Sequence, residues 1–196
     1  SLPVPNSGVV INRIEVWVVN LQANTQDVRN IIAVTDLGEH PNYVSSNLNL
    51  SQLRSVGQFN ISPTNNKAPA NQNNGLFGEF VSNEEVMGYS SSNAAIASIN
   101  QINQIGLEQG VHYERVGNAR KLTPSEFTYN SKLGFISLRQ SLNNAEVLGV
   151  SYEYTLDGQT YQVGTLSQDG FTAPGALVLK MLKSSITQLS LSNGDP

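Results

Sequence analysis

The sequence predicts an α+β fold of antiparallel strands and hairpins, with one clear helix and long polar loops. Runs of β-branched and aromatic residues indicate strands, because such residues fit a pleated, half-buried surface. The turn dipeptide Asp157-Gly158 separates two alternating runs, and one segment near residues 94–105 carries apolar residues at helical spacing. With 196 residues, the chain is long enough for one domain with a buried core.

The first predicted element is a long strand over residues 9–19, which contain neither Gly nor Pro. Its even positions form an apolar face: Val10, Ile14, Val16 and Val18. Arg13 and Glu15 lie on the opposite face beside Trp17, and we interpret the charged pair as a solvated or edge face. The same three residues are the candidate partner-binding residues of the sequence.

A second strand is predicted at residues 31–34 as the partner of the first, after a polar connection over residues 22–30. The chain from about residue 42 to 92 is rich in Asn, Ser, Pro and Gly. Short elements are expected within it near residues 48–53 and 79–87. A loop of this length is unusual in a compact domain, so we expect part of it to be ordered by packing or by a partner.

The predicted helix covers residues 94–105, with Asn93 as the N-cap and Gly106 just after the last apolar position. A strand follows at residues 111–116. Thr123, Pro124 and Glu126 then form a helix-start signature, since Thr can cap the first turn and Glu can return a hydrogen bond to it. We therefore expect a short helical turn at this point.

A β-hairpin is predicted over residues 147–164 around Asp157-Gly158, which suits a type I′ turn. If the turn has two residues, Tyr154 lies opposite Tyr161, and Tyr152 lies opposite Val163. These pairs make one face apolar, while Glu153, Thr155, Thr160 and Gln162 make the other face polar. Residues 135–138 and 176–182 are expected to extend the sheet.

Composition excludes several classes of function. The chain has no cysteine, which excludes disulfides and thiolate chemistry. Its formal charge is −4 and its pI about 5.1, so we expect no nucleic-acid partner. The apolar runs are too short for a transmembrane helix. Only 13% of the residues are charged, and Asn, Gln and Ser supply much of the expected polar surface.

Catalytic and cofactor motifs are not found in the sequence. It contains no nucleophile elbow, phosphate-binding loop or dinucleotide fingerprint. A metal cluster of His40 with His112 and Glu114 can be drawn, but exposed polar pairs at that spacing are common. Tyr152, Tyr154 and Tyr161 could form a carbohydrate-stacking platform, although a sheet must also bury these positions. We therefore assign no catalytic, metal or cofactor residue and expect no enzyme.

Three blocks of sequence resemble the SprA/Sov family of Bacteroidetes outer-membrane proteins. The first comprises VVINRIEVWVVN at residues 9–20, RNIIA at 29–33 and DLGE at 36–39. The second comprises HYERV at residues 112–116, NARKLTPSEFTY at 118–129 and LGFISL at 133–138. The third comprises LN at residues 142–143, EVLGVSYEY at 146–154, DG at 157–158, YQVG at 161–164 and LKMLKS at 179–184.

Members of that family are described as gliding motility proteins and as the translocon of the type IX secretion system. The resemblance implies that residues 1–196 are a single soluble segment of a larger protein, on the periplasmic side of the outer membrane or associated with it. It implies a non-enzymatic structural or interaction role in protein transport or at the cell surface. The implied partners are the rest of the parent chain and other secretion or motility proteins. The alternative is a surface carbohydrate- or adhesin-type binding module.

Overall fold

The computed structural model describes residues 8–19, 28–35, 37, 69–73, 77, 81, 108–169, 173 and 175–185. These residues form eight strands: β1 Val10–Val19, β2 Val28–Val34, β3 Tyr113–Lys121, β4 Phe127–Asn130, β5 Phe135–Leu138, β6 Leu148–Leu156, β7 Gln159–Val163 and β8 Leu177–Lys183. A short 3-10 helix spans Asn71–Asn73. Strand β1 and the β6–β7 hairpin are therefore confirmed close to where the sequence predicts them.

Five of the strands form a sheet that closes on itself. The order β1-β3-β2-β8-β6 returns to β1, because β6 also pairs with β1. Every pairing in this closed sheet is antiparallel except that of β2 with β8, which is parallel. The edge of β6 that does not pair with β1 has two partners. Residues 148–150 pair with β8, and residues 152–156 pair with β7. Closure leaves β1 hydrogen-bonded to neighbours on both sides, which protects its edges.

The interior of the closed sheet is a tightly packed apolar cluster. It comprises buried residues from β1, β2, β3 and β8 together with one residue before β6: Trp17, Ile31, Ala33, Val116, Ala119, Val147, Leu177, Leu179 and Met181. Gly149 of β6 faces this cluster, and a Cβ atom there would lie 3.0 Å from Leu179 Cδ1. The small residue at this position therefore lets β6 approach β8 closely.

Two further apolar clusters lie on the outer face of the closed sheet. The β4–β5 hairpin covers one region, where Phe127 packs against Val16, Val18 and Val150. A second cluster contains Val34, Tyr154, Val163 and Val178, with Phe77 and Val81 packed against it. Tyr152 packs against both clusters and lies at the boundary between them. Strands β1, β2 and β8 thus carry apolar residues on both faces, which explains their high content of branched residues.

The β6–β7 hairpin has the predicted register. Tyr152 pairs with Val163 and Tyr154 pairs with Tyr161, while Leu156 and Gln159 flank the turn. Asp157 and Gly158 have φ angles of 51° and 78°, the positive values that a type I′ turn requires at both central positions. Turn chemistry and alternation act over a few neighbouring residues, so this element could be predicted from local sequence alone.

The predicted α+β fold class is wrong for the part of the chain that the structure describes, which is mainly β-sheet. Helical conformation there is limited to the 3-10 helix and to the positions of Phe77 and Val81. The helix predicted at residues 94–105 lies outside the described residues, as do most of residues 42–92. A fold class that relied on that helix therefore has no support in the observed sheets.

The short helical turn predicted at Thr123 is a single turn over residues 124–126, in which the Glu126 amide donates to the Thr123 carbonyl at 2.9 Å, and a strand follows it. Glu126 Oε2 accepts hydrogen bonds from the Thr123 amide at 2.8 Å and from its hydroxyl at 3.1 Å. The bond that Glu126 returns to the Thr123 amide therefore exists, but Phe127 starts strand β4, which pairs with β5. The alternating residues after Glu126 bury Phe127 against the closed sheet, and this packing outweighs the local helical signal.

The predicted pairing of the first two strands is also wrong, because β3 lies between β1 and β2. Strand β3 runs on to Lys121, past the predicted end at residue 116. Its register against β2 shifts between Arg29 and Ile31, opposite Asn118, whose φ is 59°. A bulge of this kind keeps a strand in its sheet through residues that otherwise indicate a turn.

Gly164 provides a test of the packing where β7 ends. Its φ is +75°, and a Cβ atom would lie 3.1 Å from both Ser151 Cβ and the Val178 carbonyl oxygen. We expect Gly164→Ala to lower the free energy of unfolding by about 1–3 kcal/mol, because it adds crowding to backbone strain. Gly158→Ala is the matched control, since its φ is +78° and no atom lies within 4 Å. Equal losses in urea denaturation would contradict the crowding argument.

Candidate functional site

The structure places Glu15 inside the closed sheet, in a group of hydrogen bonds that we call the Glu15 clasp. The clasp consists of Glu15, Lys121 and Ser167. Ser167 donates its amide to Glu15 Oε2 at 2.8 Å and its hydroxyl to Oε1 at 2.6 Å. Lys121 Nζ lies 3.2 Å from Glu15 Oε1 and 3.2 Å from Ser167 Oγ. The clasp therefore joins β1 and β3 to the segment that follows β7.

The surroundings of Glu15 favour its charged form. Burial alone would raise the pKa of the carboxyl, but the hydrogen bonds from Ser167 and the positive charge of Lys121 outweigh burial and lower the pKa. Only 9% of the Glu15 surface is exposed. A buried carboxylate with three donors is fully paired, so its observed role is to hold the segment around Ser167 in place.

Arg13 lies one step further along the same face, at the more exposed end of β1. Its Nη1 atom is 3.4 Å from Asp169 Oδ1 and 3.9 Å from Glu153 Oε2. Gln162 Nε2 donates to the other oxygen of Asp169 at 2.9 Å. These contacts continue the attachment of the 165–169 segment to the closed sheet, and their partial exposure makes each one weak.

Trp17 is part of the apolar interior, with 1% of its surface exposed. Lys121 Nζ lies 5.8 Å from the centroid of its ring, within the range of a cation–π contact. The indole Nε1 has no hydrogen-bond partner and is buried. Trp17 therefore connects the apolar cluster to the Glu15 clasp.

The charged face of β1 is not the solvated or edge face that the sequence suggests. Glu15 and Trp17 are buried in the closed sheet, and only Arg13 retains substantial exposure. Their proposed role in binding a partner stays a prediction. The residues that complete the arrangement, Lys121 and Ser167, are 106 and 152 positions away from Glu15, and no local pattern singles them out.

A groove of about 400 Å³ lies between the tip of the β4–β5 hairpin and the outer face of β1, β6 and β8. Its lining is mostly apolar and includes Ile11, Tyr129, Phe135, Ile136, Tyr152 and Leu182. The groove thus lies beside Tyr152, at the boundary between the two outer clusters. Grooves with an aromatic lining and a few polar groups are typical binding sites for small molecules and peptides.

Exposed apolar side chains are concentrated around the same groove. The large hydrophobic residues exposed in the described part of the chain are Val10, Tyr129, Leu133, Phe135 and Leu182. We define the hairpin patch as Tyr129, Leu133 and Phe135, which are 45%, 59% and 49% exposed. All three lie on the β4–β5 hairpin, and Tyr129 and Phe135 also line the groove. Apolar groups grouped in this way mark a contact surface more often than single exposed residues do.

The tyrosines of the β6–β7 hairpin mostly serve packing. Tyr154 is buried, donates its hydroxyl to the Pro69 carbonyl at 2.7 Å and stacks on Tyr161 with ring centroids 5.3 Å apart. Tyr152 is half-buried and lines the groove. The three rings therefore do not form one open platform, which agrees with the packing interpretation of these positions.

The residues considered for a metal site have other partners. His112 Nδ1 accepts a hydrogen bond from the Glu108 amide at 3.0 Å. Glu114 is buried in β3 and accepts hydrogen bonds from the Ser185 amide and hydroxyl. His40 lies outside the described residues. Among the residues that the structure describes, no three acidic or histidine side chains are grouped as a metal site would require.

The chain matches no protein-family model and no curated protein. Its resemblance to the SprA/Sov family therefore stays a prediction from the three sequence blocks. No helix within the described ranges is both long enough and apolar enough to cross a membrane. The hairpin patch and the groove are thus the features of the structure on which a functional proposal can be based.

The sequence contains a signal for the hairpin that carries the hairpin patch. Residues 127–130 and 135–138 are two short runs with aromatic residues, separated by a turn containing Gly134. Gly134 has a φ of +68°, as expected at such a turn. The second run was predicted as a strand, but the helix-start signature at Thr123 obscured the first. The hairpin could have been predicted by giving the two runs more weight.

Proposed function

We propose that this chain is a non-enzymatic structural and interaction segment of a large outer-membrane protein that acts in type IX secretion and gliding motility. The observation that supports an interaction role is the hairpin patch, where three large apolar side chains project from one small hairpin. The sequence resemblance supports the outer-membrane system. The segment lies on the periplasmic side of the outer membrane or is associated with it.

The surface chemistry of the hairpin patch favours a polypeptide partner. Tyr129 and Phe135 are rigid aromatic groups, which bury a large area at a small cost in side-chain entropy. Leu133 lies in the turn between the two strands and is 59% exposed. The proposed partners are the rest of the parent chain and other secretion or motility proteins. The closed sheet acts as the rigid support, because its interior and its outer clusters fix the base of the hairpin.

The test uses the double variant Leu133→Ser, Phe135→Ser in the full-length parent protein in its own bacterium. We expect secreted cargo to fall at least tenfold, roughly the effect of losing one strong contact residue. The free energy of unfolding of the purified segment should change by only about 0.5 kcal/mol, because both side chains are exposed. The amount of parent protein in the outer membrane is measured in parallel.

Lys132→Ser is the matched control, because Lys132 is an exposed polar residue in the same turn. It should leave secretion unchanged. Normal secretion by the double variant, with normal membrane levels, would contradict the proposed role of the hairpin patch. The alternative is a surface carbohydrate- or adhesin-type module, which Tyr129, Phe135 and Tyr152 around the groove support. Glycan-array binding that Tyr129→Ala abolishes without unfolding would favour it.

A further inference from the structure

The groove lies where the chain enters strand β1. Val9 and Ile11, at the beginning of β1, line it together with Leu156 at the end of β6. A Cβ atom on Gly8 would lie 4.0 Å from Leu156 Cδ1, so the backbone of Gly8 is also close to this lining. The described chain therefore begins beside the groove, at Gly8.

The sequence before Gly8 has the composition of a groove-binding peptide. Residues 2–5 read Leu-Pro-Val-Pro and lie outside the described residues. Proline-containing segments favour the polyproline II conformation, and aromatic-lined grooves bind them at a low entropic cost. The lining supplies such rings from Tyr129, Phe135 and Tyr152. An apolar, proline-containing segment is thus chemically suited to this groove.

The hydrogen-bonding groups around the groove also suit proline. A proline has no amide hydrogen, so a Pro-rich segment presents carbonyl oxygens that need donors. Three residues of the lining, Tyr129, Asn130 and Ser131, carry side-chain donors. Asn130 Oδ1 accepts from the amides of Lys132 and Leu133, at 3.0 Å each, which leaves its amide nitrogen as a donor.

Chain length permits the contact. Three residues separate position 5 from Val9, and an extended chain advances about 3.1–3.5 Å per residue, which gives a reach of roughly 13 Å. We propose that residues 2–5 of the same chain bind in the groove between the β4–β5 hairpin and the outer face of β1, β6 and β8. This contact would cover Tyr129 and Phe135, which belong both to the lining and to the hairpin patch, while Leu133 lies outside the lining.

The test uses the absence of cysteine from the natural sequence, which allows one disulfide to be introduced without competition. Val4→Cys is combined with Ser131→Cys, which places the second thiol in the groove lining. The control combines Val4→Cys with Glu108→Cys, an exposed position just before β3. We expect the first pair to form at least tenfold more intramolecular disulfide than the control, because docking raises the effective concentration of the thiols.

Each outcome decides the proposal. An intramolecular disulfide in the groove variant but not in the control supports it. Disulfide-linked dimers overturn it in favour of a second copy, and equal or negligible yields overturn it outright. If a cysteine variant fails to fold, NOE contacts in the unmodified chain between the Leu2 or Val4 methyls and the Tyr129 or Tyr152 rings take its place, and their absence overturns the proposal. A negative result here would not contradict the proposed role of the hairpin patch, because the secretion experiment tests that role separately.

Discussion

Replacing Trp17 with alanine is expected to lower the free energy of unfolding by about 3–5 kcal/mol, the range for buried aromatic side chains. Trp17 belongs to the interior cluster with Ile31, Leu177 and Leu179, and 1% of its surface is exposed. Truncation would leave a cavity that hydrogen-bonded strands cannot easily collapse to fill. Because Trp17 is the sole tryptophan, unfolding in urea is followed by far-ultraviolet circular dichroism instead of fluorescence.

Two variants separate this effect from a general sensitivity to aromatic loss. Trp17→Phe should cost less than Trp17→Ala, because a ring still fills much of the space. Tyr129→Ala removes an exposed aromatic residue and should change stability by about 0.5 kcal/mol or less. A loss below about 1 kcal/mol for Trp17→Ala would contradict a close-packed interior for the closed sheet.

The burial of Trp17 shows what one strand's pattern can and cannot predict. Alternation identifies β1 as a strand and correctly assigns Val16 and Val18 to an apolar face. It suggests that the face with Arg13 and Glu15 is open to solvent, because charged residues are usually exposed. Closure of the sheet reverses that outcome, and closure depends on the pairing of β1 with both β3 and β6. Those partners are remote in sequence.

The difference between local and remote signals also explains the rest of the fold. The β6–β7 register follows from Asp157, Gly158 and the alternation beside them. The place of β3 between β1 and β2 follows instead from an apolar interior that several distant segments build together. At Thr123 the two kinds of signal compete directly. The bond from the Thr123 amide to Glu126 forms, yet burial of Phe127 decides that a strand follows.

The candidate site divides in the same way. The three predicted contact residues do lie together on one face of β1, as their spacing indicates. Their actual partners, including Ser167 and Asp169, come from a segment that no local sequence pattern singles out. The hairpin patch was within reach of sequence reasoning, because its aromatic residues flank a short turn. The groove could not be predicted from the sequence, because three distant strands and the hairpin must meet to form it.

Removing the Glu15 carboxylate is expected to have the second-largest effect. Glu15→Ala should lower the free energy of unfolding by about 2–4 kcal/mol, since the Ser167 amide and Lys121 lose their common acceptor. Lys121 can turn toward water, because its side chain is 41% exposed, so most of the cost comes from the segment around Ser167. Glu153→Ala is the control, with weaker contacts to Arg13 and Asn12 at 3.9 and 3.3 Å. An equal loss in both variants would contradict the importance of the clasp.

The same carboxylate should make stability depend on pH in the acid range. The pKa of Glu15 in the folded protein is lowered, so its contribution is fully present above the unfolded value of about 4.3 and is lost as the pH falls through the folded pKa. Glu15→Gln should therefore flatten the decline of the melting temperature below about pH 4.3. The pKa of Glu126 is also lowered, mainly by the hydrogen bond from the Thr123 amide. Some acid sensitivity should therefore remain in Glu15→Gln and should fall further in the Glu15→Gln, Glu126→Gln double variant. A Glu15→Gln profile parallel to that of the natural chain throughout this range would show that the clasp does not hold Glu15 in its charged form.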